Sequence, residues 1–145
     1  MPNPPAITLD ERLCLALYTA SRAMTSRYRP LLSDLGLTYP QYLVMVVLWE
    51  QGGASVGQIG ARLDLESSTL SPLLKRLEAM GLVTRTRATA DERSVTVGLT
   101  DAGHLLEARA AHVPQEICEA TALGTESQAA LVARLRTLAA ELASS

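Results

Sequence analysis

The sequence predicts a mainly α-helical fold with one small β-hairpin: a winged helix-turn-helix set within a helical dimerisation frame. Three observations predict it. Apolar residues recur at helical spacing over most of the chain. A short amphipathic helix is followed, across a turn, by one whose outward side is polar and basic. Between residues 82 and 99 the period then changes from helical to alternating.

Thr8 and Glu11 have the spacing of a capping box, which predicts a long first helix along Leu9, Leu13, Leu17, Ala20 and Met24. Pro30 should kink or end it before a turn at 34–36. Thr38 and Gln41 repeat the box, Pro40 stands in the first turn, and the nearly apolar run 43–49 reads as a buried second helix. Gln51-Gly52-Gly53 breaks the chain. Ser55 with Gln58 then opens a short helix through Ile59 and Leu63.

In the next helix Leu70, Leu73, Leu74 and Leu77 form the buried stripe, with Ser67, Ser68, Ser71, Pro72 and Lys75 on the other side. Gly81 stops it. Strands at 82–86 and 94–99 flank a polar tip at 87–93. Thr100 caps a fifth helix interrupted by Pro114, and Thr125 with Gln128 opens a sixth through Leu131, Leu135, Leu138 and Leu142. The chain reads as a single domain, 1–145, with dimerisation helices at 8–35 and 101–143 around a winged helix-turn-helix at 55–100.

A chain of 145 residues has room for about one domain with a real core. With 48% hydrophobic and 19% charged residues it is neither disordered nor membrane-embedded, and no apolar run approaches the ~18 residues of a membrane span. The N-terminus shows no export signal, so a cytoplasmic location is expected. There the two cysteines, Cys14 and Cys118, should be reduced at rest, which leaves room only for a transient redox bond. Their wide separation excludes a zinc finger, His104 and His112 lack a metal-ligand constellation, and no cofactor or metal is expected.

The net charge of −2 argues weakly against nucleic acid. Its distribution argues the other way. Arg62, Lys75, Arg76, Arg85, Arg87 and Arg93 crowd into one stretch, opposed by Asp64, Glu66, Glu78, Asp91 and Glu92, while the acidic excess lies beyond residue 100. A helix-turn-helix sends its second helix into the major groove, and a basic hairpin tip can reach the neighbouring minor groove. The candidate DNA contacts are therefore Ser67, Ser68, Thr69, Ser71, Pro72, Lys75 and Arg76 on the helix, with Arg87, Asp91 and Arg93 on the wing. On charge alone Lys75 and Arg76 read equally as a solvated face, and Arg93 as a surface ion pair with Asp91.

The run Asp91-Glu92-Arg93 followed by SVTVGLT resembles the wing signature of the MarR family of winged-helix regulators. LCLALY at 13–18, GLTYPQYLVMVVLWE at 36–50 and LSPLLKRLEAMGLVTR at 70–85 resemble its organic hydroperoxide resistance repressors, the OhrR branch, over roughly 9–103. One departure is visible: the branch commonly has phenylalanine after the cysteine, and here Leu15 stands, which bears on pocket shape.

The resemblance implies a homodimeric repressor of double-stranded, pseudo-palindromic operator DNA, with an organic hydroperoxide as inducer. It implies that Cys14 is the redox sensor, that Tyr28 and Tyr39 donate hydrogen bonds to its thiolate, and that Cys118 of the partner subunit closes a disulfide, as in the two-cysteine subgroup. A thiolate is what attacks a peroxide, and tyrosine hydroxyls support it without adding charge. Fourteen residues separate Cys14 from Tyr28, roughly 21 Å along a helix. Either Tyr28 comes from a second subunit or the helix folds back sharply.

By its own surroundings Cys14 could be a small buried hydrophobe, and both tyrosines could be packing residues. Two rival functions stand beside the redox repressor. One is the same scaffold released by a small phenolic or lipophilic ligand; the other is a thiol peroxidase, against which the absence of a thioredoxin-like strand and helix alternation counts.

Overall fold

A computed structural model describes residue 2, residues 5–88 and residues 91–144, with the backbone alone at 88 and 91–93. The side chains of the wing candidates Asp91 and Arg93 lie outside the described residues. The chain forms two compact units, Met1–Ala111 and His112–Ser145.

The first unit begins with a 3-10 turn, Leu9–Glu11, and then α1 (Leu13–Ser33). Glu11 does take up Thr8, accepting from its N–H at 2.9 Å and its hydroxyl at 2.8 Å. The box closes the 3-10 turn rather than the long helix, which starts two residues later. α1 does not stop at Pro30 itself but runs on to Ser33 and ends there, just before the expected turn at 34–36. Leu32, 1% exposed, is the one residue of α1 that is buried, and its burial carries the last turn past the proline.

α2 (Tyr39–Gln51) is the centre of this unit and packs against α1, α3 (Val56–Leu63), α4 (Ser67–Ala79) and α5 (Asp101–Ala110). Its capping box forms as expected: Thr38 N–H donates to Gln41 Oε1 at 3.0 Å and Gln41 N–H to Thr38 Oγ1 at 3.4 Å. This satisfies a glutamine that is almost fully buried. Val44, Met45, Val47 and Leu48 fill the core, and Gly52, at φ 75°, ends the helix in the left-handed conformation that glycine adopts without strain.

Ser55 and Gln58 cap α3 in the same way. Asp64 turns the chain at φ 55° into α4, whose Leu70, Leu74 and Leu77 are buried while Leu73 is half-buried. Leu74→Ala is expected to cost about 2–5 kcal/mol, read as a lower urea midpoint at unchanged slope.

The hairpin has longer strands than its alternation suggested: β2 (Val83–Ala88) and β3 (Asp91–Leu99), with Arg87 opposite Val95 and a register irregularity between Arg87 and Ala88. A third strand, β1 (Ala54–Ser55), joins the far side of β3 and pairs Ala54 with Val97. Two residues are too few to show a period, so only packing reveals it.

Thr100 caps α5 by accepting from Gly103 N–H at 3.1 Å and donates to the Gly81 carbonyl at 2.6 Å. Trp49 Nε1 donates to the Gly103 carbonyl at 3.0 Å, tying α2 to α5. A β-carbon on Gly103 would overlap the Leu82 carbonyl. Gly103→Ala is therefore expected to destabilise the chain by about 1–3 kcal/mol, measured by chemical denaturation.

In the second unit Pro114 opens α6 (Val113–Thr121), and Ala122 at φ 57° leads to α7 (Thr125–Ala143). Gly124, not Thr125, is the N-cap of α7, so the expected Thr125–Gln128 box does not form. No residue of α7 is buried, and Leu131, Val132, Leu135 and Leu142 are exposed.

Candidate functional site

Two features of the first unit bear on function: the face presented by α4 with the wing, and the aromatic group between α1 and α2.

On α4 the buried leucines turn Ser67, Ser68, Thr69, Pro72, Lys75 and Arg76 outward, all exposed, with Ser71 half-buried. Pro72 has no N–H, so the Ser68 carbonyl loses its helical partner on that same outward side. The cations divide into two classes that the sequence does not distinguish. Arg62 is paired with Glu50 at 2.8 Å and Arg85 with Glu78 at 2.9 Å. Among the described residues no carboxylate pairs with Lys75, Arg76 or Arg87, all exposed.

The Arg85 guanidinium holds the Glu78 carboxyl below its ordinary value of 4.5. The sign follows: the pair stabilises the fold above the ordinary carboxylate range, and that contribution is lost as pH falls through the lowered folded value. Both partners are partly exposed, so the pair does more to occupy Arg85 than to hold the fold.

In the second feature Tyr28 of α1 and Tyr39 of α2 come together, ring centroids 4.8 Å apart. Tyr42, which the sequence reading did not single out, joins them at 5.7 Å from Tyr28 and reaches Trp49 at 6.3 Å. Its place one turn after Tyr39 was the available signal. Burial raises the Tyr39 hydroxyl above its ordinary value of 10.0; burial, and then the neighbouring Tyr39, raise Tyr42 likewise. Both therefore stay protonated, as donors, throughout the neutral range. Beside them a cavity of about 410 Å³ is lined by Thr25, Arg29, Leu32, Leu37, Thr38 and Tyr39.

Cys14 is not part of this group in its own chain. It is exposed in the first turn of α1, and α1 is one continuous helix from Leu13 to Ser33, so the fold-back alternative does not occur. Fourteen residues at ~1.5 Å each keep Cys14 roughly 21 Å from Tyr28. Close to Cys14 along the chain, Leu9, Leu13 and Tyr18 are also exposed. Cys118, in the second unit, is half-buried and donates from Sγ to Gln128 Oε1 at 3.0 Å. Among the described residues no cluster of three or more His, Cys, Asp or Glu side chains could hold a metal, and no helix is long and apolar enough to cross a membrane.

Residues 26–107 match the family model described as transcriptional regulator SarA/Rot. The chain is 49% identical over 109 residues to the organic hydroperoxide resistance transcriptional regulator of Bacillus subtilis (strain 168), covering 75% of this chain and 74% of that protein. It is 47% identical over 135 residues to the HTH-type transcriptional regulator TtmR of Methylorubrum extorquens (strain PA1), covering 93% of this chain and 69% of that one. Among solved structures it is similar to AbfR of Staphylococcus epidermidis. The reduced, DNA-bound form aligns with TM-score 0.78 at 34% identity, over 92% of this chain and 94% of the other. The disulfide form of AbfR aligns at TM-score 0.65, over 92% of each chain.

Proposed function

Because the chain belongs to the MarR-like winged-helix family of transcriptional regulators, in which its relatives are regulators and not enzymes, we propose that it is a redox-sensing repressor acting as a homodimer. Reduced, it binds operator DNA through α4 and the wing. When an organic hydroperoxide oxidises Cys14, it lets go.

One observation carries this reading. Cys14 stands in the first turn of α1, while Tyr28, whose ring meets Tyr39 of α2, stands toward the far end of that same continuous helix, so Cys14 can meet such a pair only on a second copy of the chain. The exposed apolar residues close to Cys14 along the chain, and those of α7, provide surface for that second copy. The disulfide-form AbfR and the hydroperoxide-named B. subtilis relative support the chemistry by similarity.

In the first step the Cys14 thiolate attacks the peroxide. A sulfur–oxygen bond forms, the O–O bond breaks, and the alkoxide leaves as an alcohol after taking a proton. The Cys14 sulfenic acid then condenses with Cys118 of the partner subunit: an S–S bond forms, the S–O bond breaks, and water departs. A new covalent link between subunits would move the two recognition helices off the spacing that two half-sites impose.

Operator binding before and after one equivalent of an organic hydroperoxide, with non-reducing electrophoresis of the same sample, tests both steps. The expected result is release accompanied by a covalent dimer. Full affinity after oxidation overturns the switch, and release without a covalent dimer removes Cys118 from it.

The cavity beside Tyr39 favours one second reading, release by a small ligand, because its volume suits one. A regulator of that kind would still leave DNA on ligand binding when Cys14 is replaced.

A further inference from the structure

We propose that Gln128 is a positioning residue for Cys118: its side-chain carbonyl holds the thiol as a hydrogen-bond donor, a latch that must open before the sulfur can form a disulfide. The role in disulfide formation rests on the reading above; the latch itself does not.

Three glutamines in this chain stand three residues after a Ser or Thr at the start of a helix. Gln41 and Gln58 return to the N-terminus of their own helix and accept the cap N–H. Gln128 does not. With Gly124 as the N-cap, Gln128 N–H is satisfied by the Gly124 carbonyl, and the side chain has no cap to close. It turns to α6, where Cys118 Sγ donates to its Oε1 at 3.0 Å.

The backbone beneath that sulfur is pinned. The Thr121 hydroxyl donates to the Cys118 carbonyl at 2.7 Å and accepts the Leu123 N–H at 3.2 Å, locking the end of α6 as Ala122 turns left-handed. With its main chain held and its side chain half-buried, Cys118 has one hydrogen-bonding partner among the described residues to orient its sulfur. An amide carbonyl accepts a proton's hydrogen bond but does not remove the proton. Condensation needs the Cys118 proton to leave with the sulfenic hydroxyl as water, so the S–H···O bond must break as the S–S bond forms.

The test uses the full-length chain carrying Cys14→Ser, so that Cys118 is its one thiol, and reads the rate of alkylation by iodoacetamide without any peroxide. Gln128→Ala is expected to speed alkylation about two- to tenfold, the worth of one hydrogen bond. Gln128→Glu keeps an acceptor of the same reach and should return the rate to the parent value or below. A merely structural role would loosen both variants alike, so equal acceleration in the two, or no acceleration in Gln128→Ala, overturns the latch.

With Cys14 restored, Gln128→Ala should form the covalent dimer faster after one equivalent of organic hydroperoxide and leave less Cys14 sulfenic acid for dimedone to trap, while the rate at which the peroxide is consumed stays unchanged. Faster alkylation with no covalent dimer in any variant leaves the latch standing and overturns its role in resolution.

Discussion

Cys14→Ser is expected to bind operator DNA as tightly as the parent chain and to hold it through peroxide treatment. The parent should lose affinity by about 5–150-fold on oxidation, the usual span of coupling between two sites; the variant should lose less than about twofold. Cys14 stands at the start of α1, while the residues proposed to face DNA sit on α4 and β2, so the exchange of sulfur for oxygen touches none of the proposed contacts. Its exposed place predicts a stability change within about 0.5 kcal/mol. The measurement is a pair of titrations, each protein with and without one equivalent of organic hydroperoxide. Release of the variant by peroxide would sink the redox reading. Release by a phenolic ligand alone would promote the cavity beside Tyr39 in its place.

Replacing Lys75, Arg76 and Arg87 together by alanine should abolish operator binding at physiological salt. Each cation that meets a phosphate contributes roughly one unit to the slope of log K against log salt, and three per subunit become six in a dimer. The single variants should each flatten the slope. Arg62→Ala and Arg85→Ala are the decisive controls, because Glu50 and Glu78 already hold those guanidiniums. They should move the slope less than half as far. Equal slopes for the paired and unpaired arginines would show that DNA breaks the ion pairs and would remove the distinction.

Much of the architecture was legible because its signals act over three or four residues. The Thr38–Gln41 and Ser55–Gln58 boxes, the glycine after α2 and the buried stripe of α4 all stand where their spacing put them. The wing was legible from a change of period, although its strands run further than the alternation and residues 89–90 at its tip lie outside the described residues. The same local rules misread two places. Thr8 and Glu11 were expected to open the long first helix, but they close a 3-10 turn and α1 starts at Leu13. Thr125 was expected to cap α7, but Gly124 already does so.

The sequence by itself determined the element order, the regulator class through its motifs, and the condition that Cys14 and Tyr28 cannot meet along one straight helix. Only the tertiary structure decided that α1 is that continuous helix, that Tyr28, Tyr39 and Tyr42 share one cluster, and that Arg62 and Arg85 are held by carboxylates while, among the described residues, none pairs with Lys75, Arg76 or Arg87. Caps and stripes depend on neighbours within one helical turn, whose distances the chain sets directly. Ring clusters, ion pairs and the Cys118–Gln128 bond join separate elements, and their distances exist only once those elements have packed.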